Sequence, residues 1–199
     1  MIRLKPWQKV LLAIGLLGSL AIGLLGFGVW NLGRSHKHCI EGVGGTLSSY
    51  AAAHGGQYPS HKNGFGDALG LLAVEDPEWA IALVGVDDNA DWLMAAATNH
   101  TDVPEERCTR IYVQGLSEKS NPEIAILFDR FAVRGGDHLR APWRPYTREV
   151  WRGHGMQWVT LDRWPAFASN QVELLVQAGI PRATAEAYYR PTLDPNAKR

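Results

Sequence analysis

The chain has 199 residues, enough for one modest domain and an appendage, and its 20 basic and 20 acidic residues give a formal net charge of zero. Five of the Lys and Arg fall in residues 1–37 with no acid among them, leaving 15 basic against 20 acidic residues, a net of −5, for the rest. That balance excludes the basic stripe that a nucleic-acid binder carries on its folded part, so no nucleic acid is expected as a partner.

Residues 1–9 read as a short basic tail holding Arg3, Lys5 and Lys9. Residues 10–30, Val10 to Trp30, are 21 residues without a charge. As a helix they would rise about 30 Å, and they read as a transmembrane helix with Trp7 and Trp30 near its ends. The basic tail places the N-terminus on the cytoplasmic side of a bacterial inner (or intracellular compartment) membrane, with the C-terminal domain on the non-cytoplasmic side, a single-pass arrangement with the lipid bilayer as a partner. The rival reading is a cleaved signal peptide ending at Gly26 and Gly28, but the apolar core is longer than a signal peptide normally carries. Gly15, Ser19 and Gly23 recur every four residues, a bare face on which another membrane helix could pack.

Residues 31–54 read as a membrane-proximal helix continuing into the soluble domain, with Ile40, Val43, Leu47 and Tyr50 at helical spacing. Gly42, Gly44 and Gly45 weaken that helix, so packing must hold it, and Gly55-Gly56 stops it. Residues 55–190 form a small α+β domain. Short helices are expected between Asn63 and Gly85, with Asp76 and Pro77 starting the second, and over Asn89–His100. "TRIYVQGL", "EIAILFD" and "MQWVTLD" read as strands of a small antiparallel sheet, and "GGDHLRAPWRPY" as a loop. Helices return at "SNQVELLVQAG", capped by Ser169 or Asn170, and at Arg182–Tyr189, and residues 191–199 read as a frayed tail. The fold class is therefore α+β, a long N-terminal helix packed on a small antiparallel sheet with short peripheral and C-terminal helices.

The chemistry-bearing residues are sparse. Cys39 and Cys108 both fall on the non-cytoplasmic side of the expected topology, where a disulfide closing a long loop is permitted; two free buried thiols are the alternative. His36, His38 and Cys39 bring three borderline-soft ligands into four residues, yet helical neighbours point about 100° apart, and lipid headgroups explain the histidines without a metal. A pocket built from His138, His154 and Asp162 is a second candidate for metal binding or catalysis. Trp143, Trp151, Trp158 and Trp164 would make a ligand-binding face if their rings shared one side. No phosphate loop, nucleophile elbow, CxxCH or paired CxxC is present, so no cofactor, no metal and no catalytic activity are expected.

The ordered series "CIEGVGGTLSSYAAAHGGQYPSH", "CTRIYVQGL", "PEIAILFD" and "MQWVTLDRW" resembles the pilin-like (type IV pseudopilin-like) proteins of planctomycete-type bacteria, whose C-terminal domain ends in an H-x9-DG motif. The resemblance matches Cys39, Leu47, Tyr50, Tyr58, Pro59, Cys108, Asp129 and Asp162 in order. It implies a pilin-like fold and a non-enzymatic, membrane-anchored structural or accessory subunit that associates with other membrane or periplasmic chains. Two departures stand out. The chain has no acid before Glu41, hence no prepilin peptidase motif, and Asp162 is followed by Arg163 with His154 displaced from the motif's histidine position. "RGHGMQWVTLDRW" then reads as a drifted strand and turn, with Asp162 capping the turn.

Overall fold

The fold is given by a computed structural model, which describes residues 5–36, 40–77, 82, 91–99, 101–134 and 145–193, with side chains in the first helix described over 5–8 and 14–26. The chain divides into two units, residues 1–36 and 37–199.

The first unit is one helix, α1 (Pro6–His36). Its described leucines and isoleucines, from Ile14 to Leu25, are all exposed, and Ser19 Oγ donates to the Gly15 carbonyl at 2.9 Å, so that hydroxyl is satisfied within the helix. A Cβ placed at Gly15 or Gly23 would meet nothing within 4 Å. Among the described residues no helix is long and apolar enough to cross a membrane. This corrects the single-pass reading, and with it the bilayer as a partner, the inner-membrane location and the membrane-spanning half of the long helix.

The second unit begins at α2 (Ile40–Ala53), a helix in its own right. Ile40, Val43, Leu47 and Ala51 are fully buried, the stripe that 3.6-residue periodicity requires. Gly44 lies in that stripe because the indole of Trp151 rests on it: a Cβ there would come within 2.3 Å of the ring. α3 (Phe65–Glu75) and α4 (Asp91–Thr98) pack on one another beside α2. Asp76 follows the end of α3, where its N–H donates to the Leu72 carbonyl and its carboxylate accepts from Thr46 Oγ1 at 3.1 Å, and most of the helix expected to open there lies outside the described residues.

The sheet is wholly antiparallel. Its strands are β1 (Arg110–Tyr112), β2 (Ala125–Asp129), β3 (Val133–Arg134), β4 (Tyr146–Arg152) and β5 (Gly155–Thr160). Thr147 pairs with both Val133 and Thr160, and Val150 with both Phe128 and Gln157. Hence β2 and β3 lie along one edge of β4, with β5 along the other, and the five strands fill four lanes in the order β1, β2 with β3, β4, β5. All five residues of β2 are buried, as in a strand covered on both faces. Trp151 points at α2, while Phe128 stacks at 4.7 Å on Tyr189 and meets Trp164 at 5.8 Å on the opposite side. Those two residues belong to α6 (Arg182–Tyr189) and α5 (Trp164–Gln177). α5 starts five residues before the expected Ser169 cap, with Pro165 in its first turn, where a missing N–H costs nothing. Buried Gln171 ties it to the sheet, accepting from the Ala125 N–H at 2.8 Å and donating to the Glu123 carbonyl at 3.0 Å.

The architecture is thus α+β with a small antiparallel sheet and short helices, and the plan of one long helix, half in lipid and half on the sheet, is corrected. So is the disulfide. Cys108 is a buried free thiol whose sulfur lies 3.8 Å from the Pro104 carbonyl, and Cys39 lies outside the described residues. Burial pushes the Cys108 thiol up to about 12, so it carries no thiolate near neutral pH and is chemically inert.

Candidate ligand-binding cleft on three helices

α3 gives one face to the core and leaves the other bare. Ala68, Leu69, Leu72 and Ala73 are buried, whereas Leu71 is 40% and Val74 50% exposed. Asp67, Gly70, Leu71, Val74 and Glu75 fall at i, i+3, i+4, i+7 and i+8, one continuous helical face. That face floors a cleft of about 520 Å³, walled by Tyr50 and His54 from the end of α2, by Ala97, Thr98 and Thr101 at the end of α4, and by His61 and Asn63. A cleft of this size with an apolar floor and a few polar groups is what small organic ligands occupy.

The segment carrying His61 is held from below. Tyr112 OH donates to the Pro59 carbonyl at 2.7 Å, the Tyr58 N–H to the Leu116 carbonyl at 3.2 Å, and the His61 N–H to Gln114 Oε1 at 2.9 Å. Asp67 Oδ1 accepts the Val103 N–H at 2.7 Å, and Oδ2 accepts Asn63 Nδ2 at 2.9 Å. The same Oδ2 stands 3.0 Å from His61 Nδ1. The Asn63 N–H also points at that nitrogen, from 3.4 Å, but Nδ1 cannot accept there and donate to the carboxylate as well. The shorter contact, to an ionised acceptor, decides the tautomer: Nδ1 carries the proton and Nε2 is the ring's acceptor.

At the other end of α3, His54 Nδ1 stands 2.8 Å from the Tyr50 carbonyl, which can only accept, so Nδ1 again carries the proton. The ring is stacked on Tyr50 at 3.8 Å and 10°, which fixes its plane. Its Nε2 then faces Glu75 Oε1 at 3.6 Å, beyond hydrogen-bond reach. Burial, with the Glu75 charge adding to it, raises the Tyr50 hydroxyl above its ordinary range, so this phenol stays protonated. The cleft therefore holds two oriented imidazoles, each with an acceptor nitrogen and a carboxylate beside it, at the two ends of an apolar floor.

A second cleft of about 430 Å³ runs past Arg130, Glu105 and Tyr188. Its polar groups are engaged with one another: Glu105 Oε1 accepts the Phe65 N–H at 2.8 Å, and Arg130 Nη2 donates to the Glu105 carbonyl. Gly64, at φ +132, admits that carboxylate, which would lie 2.3 Å from a Cβ.

Among the described residues, those singled out from the sequence do not assemble into a site. His154 sits on the β4–β5 turn with Nε2 3.7 Å from Glu123 Oε1, and Asp162 lies past the far end of β5, more than about 20 Å away along the strand. The Thr160 hydroxyl donates to the Asp162 carboxyl and holds it below its usual range, as in a turn cap. His138, His38, Cys39, Trp143 and the side chain of His36 lie outside the described residues. Among the described residues no group of three His, Cys, Asp or Glu could hold a metal. The described tryptophans do not form one ligand-binding surface: Trp151 and Trp158 lie on the same face of the sheet through the Glu149–Trp158 pairing, but Trp151 is turned onto Gly44, Trp158 is 47% exposed with Nε1 donating to Glu149 Oε1 at 3.2 Å, and Trp164 is buried beside Phe128. Tyr50 stood out in the sequence only as a helix and resemblance position, and His54, His61, Asp67 and Glu75 were not singled out at all. The available signal was the α3 face itself, with Leu71 and Val74 on the side away from the core stripe.

No family model, no curated protein and no solved structure matches the chain. The pilin-like resemblance is thereby corrected. Its motifs were short and common, and without a membrane span or a disulfide the ordered series loses the features that made it informative. The reading as a membrane-anchored pilin-like subunit goes with it.

Proposed function

We propose that this chain is a non-enzymatic binding module that holds a small organic ligand in the cleft over α3. The observation that carries the reading is the exposed Leu71–Val74 floor set between two imidazoles whose orientation is fixed by Asp67 and by the Tyr50 carbonyl. Exposed apolar surface beside pre-oriented polar groups is unfavourable in water and becomes favourable when a ligand covers it. The test is a fragment screen on methyl- and imidazole-labelled full-length protein read by NMR. Saturable shifts confined to Leu71, Val74, His54 and His61 are expected, and a screen in which every hit lands elsewhere would end the proposal.

One observation favours a second reading. Asp67 behind His61 Nδ1, with Nε2 left as acceptor, is the arrangement of a general base with its orienting carboxylate. The two readings separate on the fate of the bound molecule. Recovery of the ligand unchanged supports the module. Steady conversion that disappears in His61→Gln makes the protein an enzyme.

A further inference from the structure

Resting on the reading of this cleft as the binding site, we infer that its ligand presents a primary ammonium group on an aliphatic body. The argument starts at His54. With Nδ1–H committed to the Tyr50 carbonyl, Nε2 is the ring nitrogen left to face Glu75 Oε1, 3.6 Å away. An unprotonated Nε2 and a carboxylate oxygen at that separation are two acceptors that repel until a donor comes between them, whether a solvent proton on Nε2 or a cation from the cleft. An ammonium nitrogen at the cleft side of the gap donates to both, each bond charge-assisted and about 2.8 Å long. The gap is accessible from the cleft, since the two side chains are 43% and 46% exposed.

The rest of the lining agrees in sign. Asp67 and Glu75 are its carboxylates, His61 adds another acceptor nitrogen, and no lysine or arginine is among its described lining residues. A carboxylate or phosphate ligand would meet repulsion at both ends of α3, whereas a cation is attracted throughout. A metal ion finds only His54 and Glu75 at the gap, short of the ligand number a bound divalent ion needs. The floor sets the other half of the ligand. Leu71 and Val74 lie between Asp67 and Glu75, which are eight residues and thus about 12 Å apart along α3, so an alkyl chain reaching from the gap covers apolar surface.

The experiment titrates the full chain with hexylamine, hexanol and hexanoate, following the Leu71 and Val74 methyls and the His54 ring nitrogens by NMR. Hexylamine is expected to bind at least tenfold more tightly than either analogue, to move His54 Nε2, and to lose that preference in Glu75→Gln. Glu75 is half exposed, so the variant keeps its fold, and unchanged methyl shifts in the absence of ligand verify it. Nα-acetyl-lysinamide identifies the source of the amine: binding equal to hexylamine points to a lysine side chain of a peptide, weaker binding to a free alkylamine. Hexanoate or hexanol binding in the cleft as well as hexylamine overturns the ligand class while leaving the cleft a binding site. A hexylamine preference that survives both Glu75→Gln and His54→Ala overturns the assignment to this gap. If no probe moves the cleft methyls and the fragment screen is also silent there, the binding reading falls and this inference with it.

Discussion

Charged and polar groups occupy two contrasting settings in residues 37–199. At the sheet, Arg110, Arg148, Asp129 and Glu149 are at most 7% exposed, and their contacts run to backbone, to one another and to Trp158 and Trp164. Arg148 donates to the carbonyls of Asp129, Arg130 and Thr192, while its guanidinium lies 5.0 Å over Trp164. Arg110 pairs with Asp129 directly across the β1–β2 ladder, and Asp129 Oδ2 also accepts the Glu149 N–H at 2.8 Å. In the cleft, His54 Nε2 and Glu75 Oε1 belong to side chains near half exposed and face one another at 3.6 Å, beyond hydrogen-bond reach. The first setting is sealed from solvent, with Arg148 Nε left without a hydrogen-bond partner, and it locks the C-terminal turn to the sheet. The second is oriented by its neighbours yet open to solvent, which is what a site does and a brace does not.

The contrast breaks first at Arg148. Burial lowers its guanidinium to about 10, with the Asp129 charge opposing the shift, so the group remains charged at neutral pH at a desolvation cost that the three carbonyls offset. Arg148→Met keeps much of the volume but strands those carbonyls and leaves the buried carboxylates less compensated. We expect a loss of about 3–5 kcal/mol in urea unfolding. A loss under about 1 kcal/mol would mean that the aromatic cluster alone holds the C-terminal turn.

A smaller effect sharpens the packing half of the comparison. Gly44→Ala drives a methyl into the Trp151 indole and should cost about 1–3 kcal/mol. Gly45→Ala, one position along the same helix and meeting nothing within 4 Å, should instead stabilise by up to about 1 kcal/mol through helix propensity. Opposite signs in thermal unfolding are the expected result; matching signs would place Trp151 elsewhere in solution.

How far the sequence leads is visible in these same residues. β2, "AILFD", and the C-terminal helices were legible because apolar runs and helical spacing survive without context. β4 was not. The expected loop ran up to Tyr146, the first residue of that strand, and the buried Thr147, Arg148 and Glu149 were assigned to no element, since the partners that make burial of charge tolerable, Asp129 and Thr192, come from other parts of the chain. Gly44 was legible as a weakness needing tertiary support, but nothing local names Trp151 as that support. The cleft was hidden for the converse reason. Each of its histidines looks like an ordinary loop residue until the Tyr50 carbonyl and Asp67 fix which nitrogen carries the proton.

The smallest expected effect on stability is also the most telling for function. His54→Ala removes a ring that is nearly half exposed, and Leu71→Ser replaces a side chain that is 40% exposed and turned away from the core stripe. Surface changes of this kind usually stay within about 0.5 kcal/mol, so neither should move the urea midpoint measurably. Both should nevertheless weaken hexylamine binding, His54→Ala by removing one acceptor at the ammonium and Leu71→Ser by removing apolar floor. At about 25 cal/mol per Å², every 40 Å² or so of covered leucine surface is worth about 1 kcal/mol, so a several-fold loss in affinity is expected from the floor alone. Binding loss without stability loss is the signature of residues kept for a ligand. If the two variants instead unfold early and bind normally, the exposed face of α3 is part of the protein's own packing, and the two settings are one.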